Sequence, residues 1–170
     1  MSAALELRRA SVDDAAAIAA ISVRTWHHAY SDFVDPRTLA ERTIELQQPR
    51  WTLRLQTGNE VWVAELDGVI AGYAGVAPST DDDAQPRTGA LTDLYVEPAA
   101  QGAGLGAQLH EHAITRLAER EFSAATLWSF ARNEQARDFY ERRGWQLDPS
   151  GAGQEDPCWR DPAVRYRREF

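Results

Sequence analysis

The sequence predicts an α+β domain with α/β/α layers around one mixed, mostly antiparallel central sheet of about seven strands. Three strand-like segments follow one another between residues 61 and 96, which predicts antiparallel neighbours. A strand, a long helix and another strand then span residues 91–130, which predicts one parallel pair. The predicted order is β-α-α-β-β-β-α-β-α-β-β, and a length of 170 residues suits a single domain over residues 1–170.

The first third of the chain predicts one strand and two helices. Leu5–Arg8 alternates apolar and polar residues, as a short strand does. Ser11–Asp14 resembles a capping box and starts a helix over Val12–Tyr30. Asp35-Pro36 starts the second helix, because proline at the first helical position gives up a donor that has no partner there. Pro49 is expected to end that helix.

A β-hairpin is predicted in the middle of the chain. Val61–Leu66 and Val69–Val76 are rich in β-branched and aromatic residues, and Asp67-Gly68 joins them. Asp-Gly supplies the positive φ angles that a tight hairpin turn needs. A polar loop separates this hairpin from the next strand, Leu91–Val96, which Pro98 ends.

A glycine-rich turn joins that strand to a long amphipathic helix that ends near Arg120. The first N–H groups of a helix lack internal partners, so this junction is suited to bind an anion such as a pyrophosphate. Gly102-x-Gly104-x-x-Ala107 fits the dinucleotide-binding pattern, but that pattern belongs in the first βα turn of a domain with several βαβ units after it. Here only one further strand–helix pair follows.

The rest of the chain predicts a strand at Ala124–Phe130, then a helix over residues 133–143. Asn133 is a typical N-cap for that helix, and Gly144 is a typical residue just beyond its end. The last two strands are predicted at Trp145–Leu147 and Val164–Arg167.

Composition narrows the class of protein. A net charge of −8 argues against nucleic-acid binding and favours cationic amine acceptors through long-range attraction. No apolar run approaches the roughly 20 residues that cross a bilayer, and the N-terminus shows no signal peptide. We therefore expect a cytoplasmic protein with no membrane partner. The single cysteine, Cys158, excludes an internal disulfide and a multi-cysteine metal cage, and no metal is expected.

Two motifs resemble those of the GNAT superfamily of N-acetyltransferases. The first is Gln101-x-x-Gly104-x-Gly106, preceded by Leu94-Tyr95-Val96-x-Pro98. The second is Asn133-x-x-Ala136-x-x-Phe139-Tyr140-x-x-x-Gly144, followed by Trp145 where the superfamily usually has Phe. The resemblance covers essentially the whole chain. It implies the GNAT fold and direct transfer of an acetyl group from acetyl-CoA to a primary amine of an unidentified small molecule or peptide.

The resemblance also implies roles for particular residues. In GNAT enzymes the pantetheine arm of coenzyme A lies along the β-strand that matches Leu94, Tyr95 and Val96. The pyrophosphate lies on the amides of the glycine turn, and a tyrosine acts as general acid on the leaving thiolate. The implied cofactor-binding residues are Leu94, Tyr95, Val96, Gln101, Gly102, Ala103, Gly104, Leu105, Gly106, Ala107, Asn133 and Tyr140. Tyr140 is the implied acid, since a phenol with a pKa near 10 is uncharged at rest.

The general base and the acceptor site are less defined by the sequence. Many relatives carry a glutamate where this chain has Ala90. Asp93 is the candidate base, and strand alternation predicts that it shares a face with Leu91 and Tyr95. Glu65 is a second candidate.

The acceptor residues are predicted at the end of the first helix. They are Trp26 and Tyr30, with His27 or His28 as a further possible base. His110 and His112 are expected to be solvated, and Cys158 is not expected to be a nucleophile. Two alternative functions stay open: a non-catalytic CoA-binding sensor or assembly domain, and a transferase of another acyl group. A homodimer formed through the closing strands is also plausible.

Overall fold

The computed structural model describes residues 4–151 and 162–170. One seven-stranded sheet has the order β1-β2-β3-β4-β5-β7-β6, and all its pairs are antiparallel except β4–β5. The strands are β1 (Leu5–Arg9), β2 (Glu60–Leu66), β3 (Val69–Pro78), β4 (Thr88–Val96), β5 (Ala124–Phe130), β6 (Gln146–Asp148) and β7 (Ala163–Glu169). The helices are α1 (Ala15–Tyr30), α2 (Pro36–Ala40), α3 (Ile44–Gln56), α4 (Leu105–Glu119) and α5 (Glu134–Glu141). The predicted fold class is confirmed.

Helices cover both faces of the sheet. On one face α4 buries Leu109 and Leu117 in a cluster that includes Tyr166 of β7. On the other face α1 and α3 bury Ile18 and Trp51 against β2 and β3. These three helices each pack one apolar stripe against the sheet, which gives the three layers that the sequence predicts. No helix in the described residues is long and apolar enough to cross a membrane.

Two local predictions are confirmed. Asp67 and Gly68 have φ angles of 50° and 80°, as the tight turn between β2 and β3 requires. The Asp14 carboxylate accepts a hydrogen bond from the Ser11 amide at 2.7 Å, so the capping pair forms. A short 3₁₀ turn at Val12–Asp14 precedes α1.

The expectation that Pro49 ends the second helix is wrong. Between β1 and β2 the chain forms three α-helices where the sequence predicted two, and α3 continues through Pro49. Proline removes one backbone hydrogen bond from α3. Trp51 offsets that loss, because it is 4% exposed and packs its ring edge-on to Tyr73 with centroids 5.0 Å apart.

The two parallel strands separate soon after they meet. β4 pairs with β5 only from Thr88 to Ala90, opposite Ala124–Thr126. Beyond Ala90, β4 stays paired with β3, and β5 stays paired with β7 along its whole length. Within the described residues, one edge of β4 over Leu91–Val96 has no strand partner. The gap lies at the carboxyl ends of the parallel strands, where ligands of such sheets usually bind.

The prediction that His110 is solvated is wrong. His110 is 2% exposed, and its Nε2 accepts a hydrogen bond from the Trp145 indole at 2.8 Å. This acceptor role places the ring proton on Nδ1, which has no partner in the described part of the chain. Burial, with smaller contributions from Arg168 and Arg143, lowers the pKa of His110 to about 4. His110 is thus a neutral residue that ties α4 to the segment before β6.

We expect this histidine to make the fold acid-sensitive. The folded protein resists protonation of His110, while the unfolded chain protonates it near pH 6.5. Its contribution to stability is therefore complete above pH 6.5 and is lost as the pH falls toward 4. The free energy of unfolding of the wild type should fall by about 3 kcal/mol relative to His110→Leu between pH 7 and pH 4, measured by urea denaturation. The exposed His28→Leu is the control, and an equal pH dependence of wild type and His110→Leu would contradict the assignment.

Candidate active site

A cavity of about 690 Å³ opens where β4 and β5 diverge. This volume is in the range of small-molecule and cofactor sites. One wall consists of β4 over Leu91–Val96, the glycine turn, the first turn of α4 and the inner side of α5. The opposite wall consists of α1 and α3. The cavity therefore extends from one helical layer to the other across the gap in the sheet.

The glycine turn leaves the start of α4 open. Gly102 and Gly104 both have a φ of 84°, which L-residues rarely adopt, and a Cβ at either position would meet nothing within 4 Å. Gly104 is the N-cap of α4 and supplies no side-chain hydrogen bond, so its own N-cap residue leaves the first amides of α4 uncapped. Gln101 fixes the turn to β4, since its Nε2 donates to the Val96 carbonyl at 3.2 Å. The junction thus presents amides and the positive end of a helix dipole to the cavity.

A β-bulge at Thr92 changes the faces of β4. Gly75 pairs with Asp93, but the next residue of β3, Val76, pairs with Leu91. Thr92 is the extra residue, so Leu91 faces the α4 side of the sheet while Asp93 faces α3. The prediction that Asp93 shares a face with Leu91 is therefore wrong.

The Asp93 carboxylate is held by a guanidinium. Nη1 and Nη2 of Arg54 donate to its two oxygens at 3.2 and 2.6 Å, and Thr92 Oγ1 donates at 2.8 Å. The Asp93 side chain is 12% exposed. A carboxylate whose two oxygens both accept hydrogen bonds from one guanidinium has a structural role, here the attachment of α3 to β4.

Tyr140 lies on α5 and lines the cavity beside β4. Its ring is half-buried and packs edge-on to Phe139 and Trp145. Burial, with smaller contributions from Tyr95 and Asp93, raises the pKa of Tyr140 above its ordinary value. The phenol therefore keeps its proton at neutral pH and can donate it in a hydrogen bond.

The aromatic residues predicted for the acceptor site are buried in its wall. Trp26 and Tyr30 belong to a cluster with Phe130, in which the Trp26 and Tyr30 centroids are 4.9 Å apart. Both residues line the cavity. His27 and His28 are exposed and lie outside the lining, and His27 Nε2 contacts the Arg42 carbonyl at 3.2 Å.

The cavity brings together nearly all of the residues predicted for the site. The predicted residues in its lining are Trp26, Tyr30, Asp93, Leu94, Tyr95, Val96, Gln101, Gly102, Gly104, Leu105, Gly106, Ala107, Asn133 and Tyr140. Ala103 is exposed and is not in the lining. Glu65 lies elsewhere, bonded to Arg8 at 2.6 Å. Cys158 is outside the described residues. Among the described residues, no group of three His, Cys, Asp or Glu side chains is placed to hold a metal ion.

Sequence reasoning missed the polar residues of α3. Gln47, Arg50 and Arg54 line the cavity, together with Arg42 just before α3. The spacing of residues 47, 50, 51 and 54 is that of one helix face, and it is visible in the sequence. Because the helix was predicted to end at Pro49, residues 47 to 54 were not recognised as one helix face. Arg143 was also missed; its guanidinium lies over the Phe139 ring at 3.7 Å.

Comparisons with known proteins match this architecture. The model of the acetyltransferase (GNAT) family matches residues 20–145. A relative from Archaeoglobus fulgidus, named an uncharacterized N-acetyltransferase, is 31% identical over 150 residues, which cover 86% of this chain and 97% of the relative. The chain belongs to the GNAT family of acetyltransferases. As a GNAT family member, it is an acyltransferase.

Solved structures of GNAT proteins share the fold. The PaiA N-acetyltransferase of Thermoplasma acidophilum, crystallised in complex with coenzyme A, aligns with a TM-score of 0.75 at 14% identity, covering 98% of this chain and 99% of that one. YncA of Salmonella typhimurium, solved with acetyl-CoA, aligns with a TM-score of 0.70 at 22% identity, covering 98% and 94%.

The ion pair between Arg54 and Asp93 should stabilise this GNAT domain markedly. Arg54→Met leaves a buried carboxylate without its cation, so we expect the free energy of unfolding to fall by about 3 kcal/mol in chemical denaturation. Adding Asp93→Asn should recover part of that loss. Arg24→Met breaks the ion pair with Glu97, in which Arg24 is 53% exposed, and should cost less than about 1 kcal/mol. Equal losses for Arg54→Met and Arg24→Met would show that burial does not strengthen the Asp93 pair.

Proposed function

We propose that this chain is an acetyl-CoA-dependent N-acetyltransferase that moves the acetyl group directly from the thioester to a primary amine. One observation carries the proposal: the uncapped start of α4, the unpaired edge of β4 and Tyr140 all line one cavity. We further propose that residues 1–170 act as a single catalytic domain. The cytoplasmic location and the homodimer stay predictions.

The cavity suits the shape and charge of coenzyme A. The uncapped amides of α4 and the open backbone at Gly102 and Gly104 offer a place for a pyrophosphate. The unpaired main-chain groups of Leu94–Val96 offer hydrogen bonds to the amides of pantetheine, as an added strand would. Asn133 lines the same cavity while its Oδ1 caps α5 at the Ala136 amide. The coenzyme A and acetyl-CoA complexes of the fold relatives support this assignment.

Tyr140 supplies the acid in the proposed reaction. The amine nitrogen forms a bond to the carbonyl carbon, the carbon–sulfur bond breaks, and its electron pair goes to sulfur. Tyr140 donates its proton to the departing thiolate, and the proton lost by the attacking amine restores the phenol through solvent. A raised pKa keeps the phenol protonated between turnovers.

No lining carboxylate is free to take the proton of the amine. Among the described residues, Asp93 is the single acidic residue in the lining, and Arg54 holds it. A lysine-like amine is charged at neutral pH, and its deprotonation costs about 4.6 kcal/mol. This favours an acceptor that already enters with a low amine pKa.

Coenzyme A should bind with an affinity that depends on the start of α4. Gly106→Asp fits the fold, because a Cβ there meets Phe139 and Val96 at an ordinary 3.7 Å, and acidic residues suit a helix N-terminus. Its carboxylate competes with the pyrophosphate, so calorimetry should show at least a 100-fold weaker affinity for CoA. The control Gly106→Ala should stay within a few-fold of the wild type. No heat with CoA in the wild type would refute the proposed site.

Replacing Tyr140 should slow turnover without weakening CoA binding. Tyr140→Phe keeps the ring contacts and removes the proton donor, so we expect kcat to fall about 100-fold while the Kd for CoA is unchanged. Thiol release from acetyl-CoA measures the rate. Tyr73→Phe is the matched control, because the Tyr73 side chain is fully buried and lies outside the lining. An unaltered kcat for Tyr140→Phe would show that another group protonates the thiolate.

A further inference from the structure

The lining of the cavity carries more positive than negative charge, and three of its arginines (Arg42, Arg50 and Arg54) lie in or just before α3, on the wall that we call the acceptor side. Of the described charged residues in the lining, four are arginines and one is an aspartate. That aspartate, Asp93, is already bonded to Arg54 through both oxygens. Arg42 and Arg50 have no carboxylate partner within ion-pair distance among the described residues. The excess is local, because the chain as a whole has a net charge of −8.

Arg42 is a partly desolvated cation. Its guanidinium carbon lies 3.7 Å from the centre of the Trp26 ring, and its Nη1 is 3.4 Å from Gln47 Oε1. Burial lowers the pKa of Arg42, as expected for a cation that has lost water without gaining a counter-ion. A guanidinium in this setting is suited to a planar carboxylate, which can accept two parallel hydrogen bonds.

Gln47 provides a second, independent observation. It is 4% exposed and lines the cavity. Its Oε1 faces Arg42, while its Nε2 has no hydrogen-bond partner among the described residues. The buried hydroxyl of Thr25, also in the lining, has none either. Buried donors are usually satisfied, so the unused Gln47 amide beside Arg42 indicates a ligand group that accepts hydrogen bonds, and the Thr25 hydroxyl can donate to such a group as well.

These groups come from one face of α3 and from Arg42, which lies two residues before the helix begins. Gln47, Arg50 and Arg54 are spaced three and four residues apart, so they project from the same side of α3. Arg54 is already paired with Asp93 and connects α3 to β4 of the sheet. Gln47 and Arg50, with Arg42, remain available to a ligand that enters between α3 and β4.

We propose that the acceptor is an amine that also carries a carboxylate, which Arg42 and Arg50 bind as an ion pair while Gln47 donates a hydrogen bond. This inference rests on the proposed transferase function and specifies the substrate class of the same cavity. The positive charge of the cavity lining repels cationic acceptors, whereas the net charge of −8 on the whole chain would attract them. It also aids the chemistry, because fixed positive charges disfavour the ammonium form of the amine and so favour the neutral nucleophile. This compensates for the missing carboxylate base.

Matched acceptors test the proposal. The twenty L-amino acids, their α-amides, phosphoethanolamine and spermidine are offered with acetyl-CoA, and thiol release gives kcat/KM. We expect at least one amino acid to exceed its own amide more than 10-fold. Arg42→Gln and Arg50→Gln should each raise the KM for that amino acid at least 10-fold and leave the KM for acetyl-CoA unchanged. Arg37→Gln, an exposed neighbour outside the cavity, is the matched control and should change neither.

The outcomes separate this inference from the proposed function. Turnover that is as good with amides or spermidine, or that is unaffected by the two variants, overturns the inference and leaves the transferase function standing. A preference for phosphoethanolamine overturns the carboxylate in favour of a phosphate. If CoA binds and no acceptor reacts, the proposed N-acetyltransferase reaction fails. The anion site is then tested separately, by comparing N-acetyl amino acids with their amides for the rise in Tm of the CoA-bound protein. A rise only with the carboxylates, lost in Arg42→Gln, supports the anion site, and equal shifts refute it.

Discussion

The site depends on the separation of two parallel strands after Ala90. β4 and β5 pair for three residues and then follow different antiparallel neighbours, which opens a gap in a sheet that is otherwise continuous. Helices close over both faces of the sheet, so the gap becomes a cavity with a wall from each layer. A backbone edge that a sheet normally satisfies internally is thereby left for a ligand.

The bulge at Thr92 places apolar residues on one face of β4 and the Asp93 carboxylate on the other. Gly75 permits it, since a Cβ there would lie 2.5 Å from Thr92 Oγ1 and 2.7 Å from Asp93 Oδ2. On one face Leu91 and Leu94 pack under α4, and on the other Asp93 binds Arg54 of α3. The ion pair fixes α3 against the sheet at the place where the other polar residues of α3 enter the cavity. Electrostatics thus supports both packing and the shape of the acceptor side.

Much of the fold and half of the site follow from local sequence rules. The Asp67-Gly68 turn, the Asn133 cap and the glycine turn before α4 depend on backbone preferences that a few neighbouring residues decide. The helix through Pro49 could not be read in this way, because the burial of Trp51 outweighs a local penalty. The face of the sheet on which Leu91 lies could not be predicted either. A β-bulge depends on how two strands pair, and no residue type in the sequence identifies it. The charge of the acceptor side depends on which arginines find carboxylates, and that is a property of the whole fold.

The start of α4 couples the stability of the folded protein to the concentration of a ligand that binds there. A helix normally begins at a residue whose side chain satisfies the first amides, but Gly104 has no side chain to do so. Any diphosphate that occupies this position completes the helix and adds its binding energy to that of folding, by an amount that grows with the logarithm of its concentration. Under the proposed function, acetyl-CoA itself would therefore stabilise the folded protein that uses it.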